Sequence, residues 1–96
     1  MVDLPNLRAR REAILRIASE FGASNVRVFG SAARGDMRPD SDLDIVVDMP
    51  SDRSLLTWGA FWKALEDELG TRIDLAVESD LRPDVKEKVL AEAVPL

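Results

Sequence analysis

Residues 45–47 read Ile-Val-Val, a continuous apolar run directly preceded by Asp42-Leu43-Asp44. Strict alternation of apolar and polar residues marks a strand with one wet face. An unbroken β-branched run marks a strand covered on both faces. A chain with such a strand must lay other elements against both sides of its sheet, which points to a layered α/β or α+β architecture. The segment also poses a chemical question, because two aspartates stand one residue apart at the threshold of that strand.

The rest of the pattern supplies the covering elements. Over residues 5–21, Leu7, Ile14, Leu15, Ala18 and Phe21 recur at helical spacing, with Pro5 suited to the first turn and Gly22 to a left-handed stop. Val26 to Phe29 is a short β-prone run ending at Gly30, and residues 31–34 suit one helical turn. Turn formers fill residues 35–41, and a second strand is expected from about Asp42 to Val47. Ser54 reads as a helix cap ahead of an apolar stripe of Leu55, Trp58, Trp62, Leu65 and Leu69, closed by Gly70. A third strand is expected over residues 72–77, and Pro83 opens a last helix with Val85, Val89, Leu90 and Ala93 on its inner face. The expected order is α-β-β-α-β-α, in one domain over residues 1–96.

Composition narrows the chemistry. A net charge of −5 argues against general nucleic-acid binding, which requires a basic footprint, but leaves room for a pocket that takes one nucleotide. The chain has no cysteine, which removes disulfides and thiolate metal sites and fits a reducing cytoplasm. It has no histidine, so any acid–base or metal chemistry falls to carboxylates. No signal pattern and no apolar run near membrane-spanning length is present, so no membrane association is expected.

Asp42 and Asp44 are two residues apart on an expected strand, so their carboxylates point to one face. Two carboxylates so close repel each other, and a divalent cation between them removes that cost. Oxygen ligands suit Mg²⁺ or Mn²⁺ rather than Zn²⁺. Asp74, within Ile73-Asp74-Leu75, reaches the same face if the second and third strands are neighbours. Three carboxylates can hold two Mg²⁺ ions, one on the phosphates of a nucleotide and one lowering the pKa of an acceptor hydroxyl. Gly30 lets backbone approach a ligand closely, and free N–H groups with the Ser31 hydroxyl would favour phosphate there. Arg34 and Arg38 are candidates for charge-assisted hydrogen bonds to the same group.

Gly30-Ser31, ten residues, then Asp42-x-Asp44 resembles the motif of the polymerase-β-like nucleotidyltransferase superfamily. The wider string GSAARG…SDLDIVVD resembles the minimal nucleotidyltransferases, short proteins encoded beside HEPN-domain partners. Residues 72–75 match the third-carboxylate strand, and the tail LRPDVKEKVLAEAVPL is similar to the closing helix of that family. The resemblance implies a small mixed β-sheet flanked by helices. It implies that Asp42, Asp44 and Asp74 bind two Mg²⁺ ions and carry catalysis, and that Gly30, Ser31 and Arg34 hold the triphosphate of ATP. It further implies transfer of AMP to a tyrosine of a HEPN toxin, which makes the chain an antitoxin within a hetero-oligomer. Nothing in the sequence names the nucleobase or the number of transfers.

Plainer readings stand beside these. Ser31 can be an ordinary helix cap, and Asp42 can begin a strand within a turn stabilised by Ser41. Asp36, Asp40 and Asp48 read as solvated loop residues. Trp58 and Trp62, four apart, read as core packing, with a partner interface as the alternative. Arg8, Arg10, Arg11 and Arg16 read as a solvated helix face. At the level of function, a non-catalytic antitoxin that occludes a HEPN ribonuclease is the alternative to the enzyme. A stand-alone transferase acting on a small molecule or an RNA end is the third possibility.

Overall fold

A computed structural model describes residues 3–38 and 40–96. The elements are α1 (Leu4–Ala9), α2 (Arg11–Glu20), β1 (Ser24–Phe29), α3 (Gly30–Arg34), β2 (Leu43–Asp48), α4 (Leu55–Leu69), β3 (Ile73–Val77), a 3₁₀ turn (Glu78–Asp80), α5 (Pro83–Glu92) and β4 (Val94–Pro95). The four strands form one sheet in the order β3-β2-β1-β4. β2 runs parallel to β3, while β1 is antiparallel to both β2 and β4, so the sheet is mixed.

β2, which carries the Ile45-Val46-Val47 run, is interior and covered on both faces. Ile45, Val46 and Val47 are all fully buried. Ile45 and Val47 join the main core with Val28, Leu43, Leu75 and Val77 of the sheet and Ile14, Phe61 and Leu65 of the helices. Val46 points the other way, as the register partner of Arg27. Arg27 is buried there too, and ion pairs to Asp48 at 2.8 Å and Glu78 at 2.5 Å neutralise its guanidinium. A buried cation persists only with such partners. Asp48 is therefore the closing residue of β2 and a structural ion-pair partner, not a solvated loop residue.

Local signals fixed several boundaries. Ser54 caps α4, its hydroxyl accepting from the Thr57 N–H at 3.0 Å. Gly22 and Gly70 follow their helices in the left-handed region at φ +78° and +65°. Trp58 and Trp62 pack as the plainer reading expected: their rings meet edge-on with centroids 5.8 Å apart, and Trp58 also meets the fully buried Phe61.

Tertiary contacts changed other parts of the expected pattern. The single helix over residues 5–21 is two helices, broken at Arg10, whose side chain donates to the Glu68 carbonyl near the end of α4. Arg10 stays exposed, as expected of a solvated face, and also ties this corner to α4. The stripe of α4 is carried by Phe61, Leu65 and Leu69, whereas Leu55 lies on the first turn and is 84% exposed. On α5 only Val89 is buried, and Val85 and Leu90 are exposed. The order gains β4, a two-residue strand held by pairing with Arg27 and Val28. A strand so short leaves no periodic signal.

Candidate active site

The site grows from the register of two parallel strands. Leu43 pairs with Ile73, Asp44 with Asp74 and Ile45 with Leu75. The alternation that sends Leu43, Ile45, Ile73 and Leu75 into the core sends Asp44 and Asp74 side by side to the opposite face. Asp42 lies two residues before Asp44, just ahead of β2. All three carboxylates line one cavity of about 560 Å³, together with Gly30, Ser31, Arg34, Ser41, Arg72 and Glu92.

α4 fixes where β3 starts. The Trp62 indole donates to the Ile73 carbonyl at 2.8 Å, and the Ile73 N–H donates to Glu66 Oε2 at 2.9 Å. β3 is an edge strand. These two side chains thus satisfy the outward backbone groups of the residue that precedes Asp74.

Asp44 is the strained member. Burial, then the charge of Asp74, then that of Asp42, push its pKa up to about 6. A hydrogen bond with Asp74 and the charge of Glu92 act in the same direction. A carboxylate so placed is short of positive charge. Asp42 finds some locally, its Oδ1 lying 3.3 Å from Arg72 Nε on the surface. In this arrangement, among the described residues, no three carboxylates close on a single point as a ligand shell. Asp42 is turned to Arg72, and Asp44 stands beside its register partner Asp74. The donor set nevertheless fits a hard divalent cation: three carboxylates on one wall, one with a raised pKa that a bound cation would reverse.

The opposite wall is α3. Gly30 opens it at φ +69°, and a Cβ there would overlap Asp44 Oδ2 and lie 3.0 Å from its Cγ. Only glycine admits both the backbone angle and the carboxylate. Ser31 lies within the first turn and lines the cavity, and no side-chain cap bonds the helix start. The ordinary-cap reading of Ser31 is thereby set aside. Ser41 does stabilise the turn ahead of Asp42, its hydroxyl accepting from the Arg38 N–H at 3.1 Å. Arg38 itself does not line the cavity, whereas Arg34 does.

Glu92 is the site residue that the sequence reading missed. The Gly30 N–H, expected to be free, donates to Glu92 Oε1 at 2.9 Å. Arg34 Nη1 lies 3.2 Å from Glu92 Oε2, and Arg34 Nε lies 3.3 Å from Asp36. One signal could have exposed it. Glu92 closes a helix, where the negative end of the helix dipole disfavours a carboxylate, so a glutamate there implies outside partners.

The chain belongs to the nucleotidyltransferase domain family, whose sequence profile matches residues 10–96. It is 40% identical over 78 residues to the protein adenylyltransferase MntA of Thermococcus cleftensis, a match spanning 81% of this chain and 79% of the relative. It is similar to a solved structure described as a minimal nucleotidyltransferase, with a TM-score of 0.87, 50% identity and coverage of 99% of this chain and 97% of that one. A chain from a toxin–antitoxin structure with AMP-PNP shares the fold, with a TM-score of 0.75 at 17% identity over 88% of this chain and 69% of its own length. The expected mixed sheet with flanking helices is thus the fold observed. Among the described residues, no helix is long and apolar enough to cross a membrane.

Proposed function

We propose that the chain transfers AMP from ATP, in a Mg²⁺- or Mn²⁺-dependent reaction, to a tyrosine hydroxyl of a HEPN-domain toxin, and so acts as a cytoplasmic antitoxin. The observation that carries this reading is the in-register Asp44–Asp74 pair facing Gly30 and Ser31 across one cavity. The identity to a protein named as an adenylyltransferase supports protein as the acceptor, and the fold shared with a toxin–antitoxin chain supports the class of partner.

Asp42, Asp44 and Asp74 would hold the divalent ions, which supply charge neutralisation on the phosphates and a lowered pKa at the acceptor hydroxyl. The chain's own residues do the remaining work. The Gly30 backbone and the Ser31 hydroxyl orient the terminal phosphates, and Arg34 adds positive charge beside them. Asp42 and Asp74 are exposed, so a partner's side chain can reach them. The acceptor oxygen bonds to the α-phosphorus as the bond to the α–β bridging oxygen breaks. Pyrophosphate leaves, and Asp74 receives the acceptor's proton.

The test is transfer of label from α-labelled ATP to the protein encoded beside this one, with Mg²⁺ present. Label should move with the wild type and not with Asp42→Asn or Asp44→Asn. No transfer, or equal transfer by Asp42→Asn, would overturn the reading.

One observation favours a second reading. Leu55 and Leu56, at the start of α4, are 84% and 87% exposed, which suits a protein contact. On that reading the chain neutralises a HEPN ribonuclease by occlusion. The Asp42→Asn, Asp44→Asn double variant would then still protect cells, and loss of protection with normal complex formation would exclude it.

A further inference from the structure

We propose that Glu92 is an internal occupant of the triphosphate position, which a nucleotide must displace in order to bind. The inference rests on the nucleotide-site reading above and adds a residue and a competition to it. One carboxylate holds both donors assigned to phosphate: the Gly30 N–H at 2.9 Å and the Arg34 guanidinium at 3.2 Å. Carboxylate and phosphate oxygens are alike to such donors, so the two compete for the same hydrogen bonds. Glu92 also lines the cavity that holds Asp42, Asp44 and Asp74, so a polyphosphate entering there meets a fourth negative charge.

The anchorage of Glu92 is suited to displacement. It ends α5, whose dipole does not favour a carboxylate at that end, so the contacts across the cavity hold it in place. Ala93 alone separates it from β4, and β4 pairs with β1 through only Val94 and Pro95. The next amide, Leu96 N–H, donates to the Val26 carbonyl at 3.1 Å. Movement of Glu92 away from Gly30 therefore pulls on the least extensive pairing in the sheet. The competition lowers apparent affinity by the fraction of molecules in which the donors are free.

Titration calorimetry of the full chain, with Mg²⁺, against inorganic tripolyphosphate and a non-hydrolysable ATP analogue tests this. Glu92→Gln keeps an oxygen acceptor and removes the charge, and Glu92→Ala removes both. Both variants should bind the two probes about tenfold more tightly than the wild type. Equal or weaker binding by the variants, with the wild type binding normally, overturns the inference and leaves the nucleotide site standing. If wild type and variants bind neither probe, the nucleotide-site reading falls and takes the inference with it. Hydrogen exchange on the wild type needs no variant: the analogue should speed exchange at the Leu96 amide, and slowed or unchanged exchange overturns the inference.

Discussion

Asp44 and Asp74 are register partners on adjacent parallel strands, and their proximity makes each a liability to the other. Neither is redundant with the core, because the pairing that aligns them also aligns Ile45 with Leu75 beneath. The cost of the pair is concentrated on Asp44, which is half-buried, while Asp74 is open to water.

That cost predicts an unusual pH response. Asp44 is raised from an ordinary 3.8 to about 6, so the folded state holds this proton more tightly than the unfolded chain. The stability it contributes is complete below 3.8 and is lost as pH rises through about 6. With no histidine, no other side chain has its ordinary range between pH 5 and 7. The melting temperature without divalent cations should fall between pH 5 and 7. Mg²⁺ should restore it at pH 7.5 and not at pH 5, because the metal needs the ionised carboxylate. Asp44→Asn should abolish both effects, and thermal melts in chelator and in Mg²⁺ measure them.

Gly30→Ala and Gly35→Ala separate backbone strain from collision. Both residues have positive φ, at +69° and +81°, but a Cβ at Gly35 meets nothing within 4 Å. Gly35→Ala should cost about 1 kcal/mol and leave transfer intact. Gly30→Ala should cost about 3 kcal/mol and abolish transfer, since Asp44 must move to admit the methyl. Denaturant unfolding and the labelled-ATP assay read the two effects.

Arg27→Ala removes one cation from between Asp48 and Glu78 while those two carboxylates stay near each other. Unfolding should become easier by about 2–3 kcal/mol. Arg27→Met should recover part of this by filling the space beside Val46. Equilibrium unfolding of the two variants side by side checks the order.

Trp62→Phe deletes the donor to the Ile73 carbonyl and keeps most of the ring packing. A loss of about 1 kcal/mol is expected. Transfer should fall more than this stability loss accounts for, because Ile73 sets where Asp74 begins. Activity measured well below the melting temperature separates the two.

Much of the site was legible because a period-two pattern carries both burial and chemistry. Asp42, Asp44 and Asp74 stood out as carboxylates beside apolar residues, and the Gly30-Ser31 spacing placed the opposite wall. What stayed hidden depends on contacts distant in sequence. Arg10, where the first helix is interrupted, donates to a carbonyl 58 residues away. Glu92 reaches Gly30 across 62 residues, and in a single sequence it reads as one more helix glutamate. Asp48 looked like loop because its partner, Arg27, lies on another strand. The α4 stripe was misread at Leu55 because helical phase does not reveal where along its length a helix meets the core.

The β2–β3 pairing also acts as a safeguard on quality. Were β3 to slip by one residue against β2, Asp74 would turn into the apolar interior and Ile73, Leu75 and Val77 would face water. A chain that mispairs therefore forfeits its packing and its carboxylate pair together. Packing and the carboxylate pair thus depend on one and the same alignment.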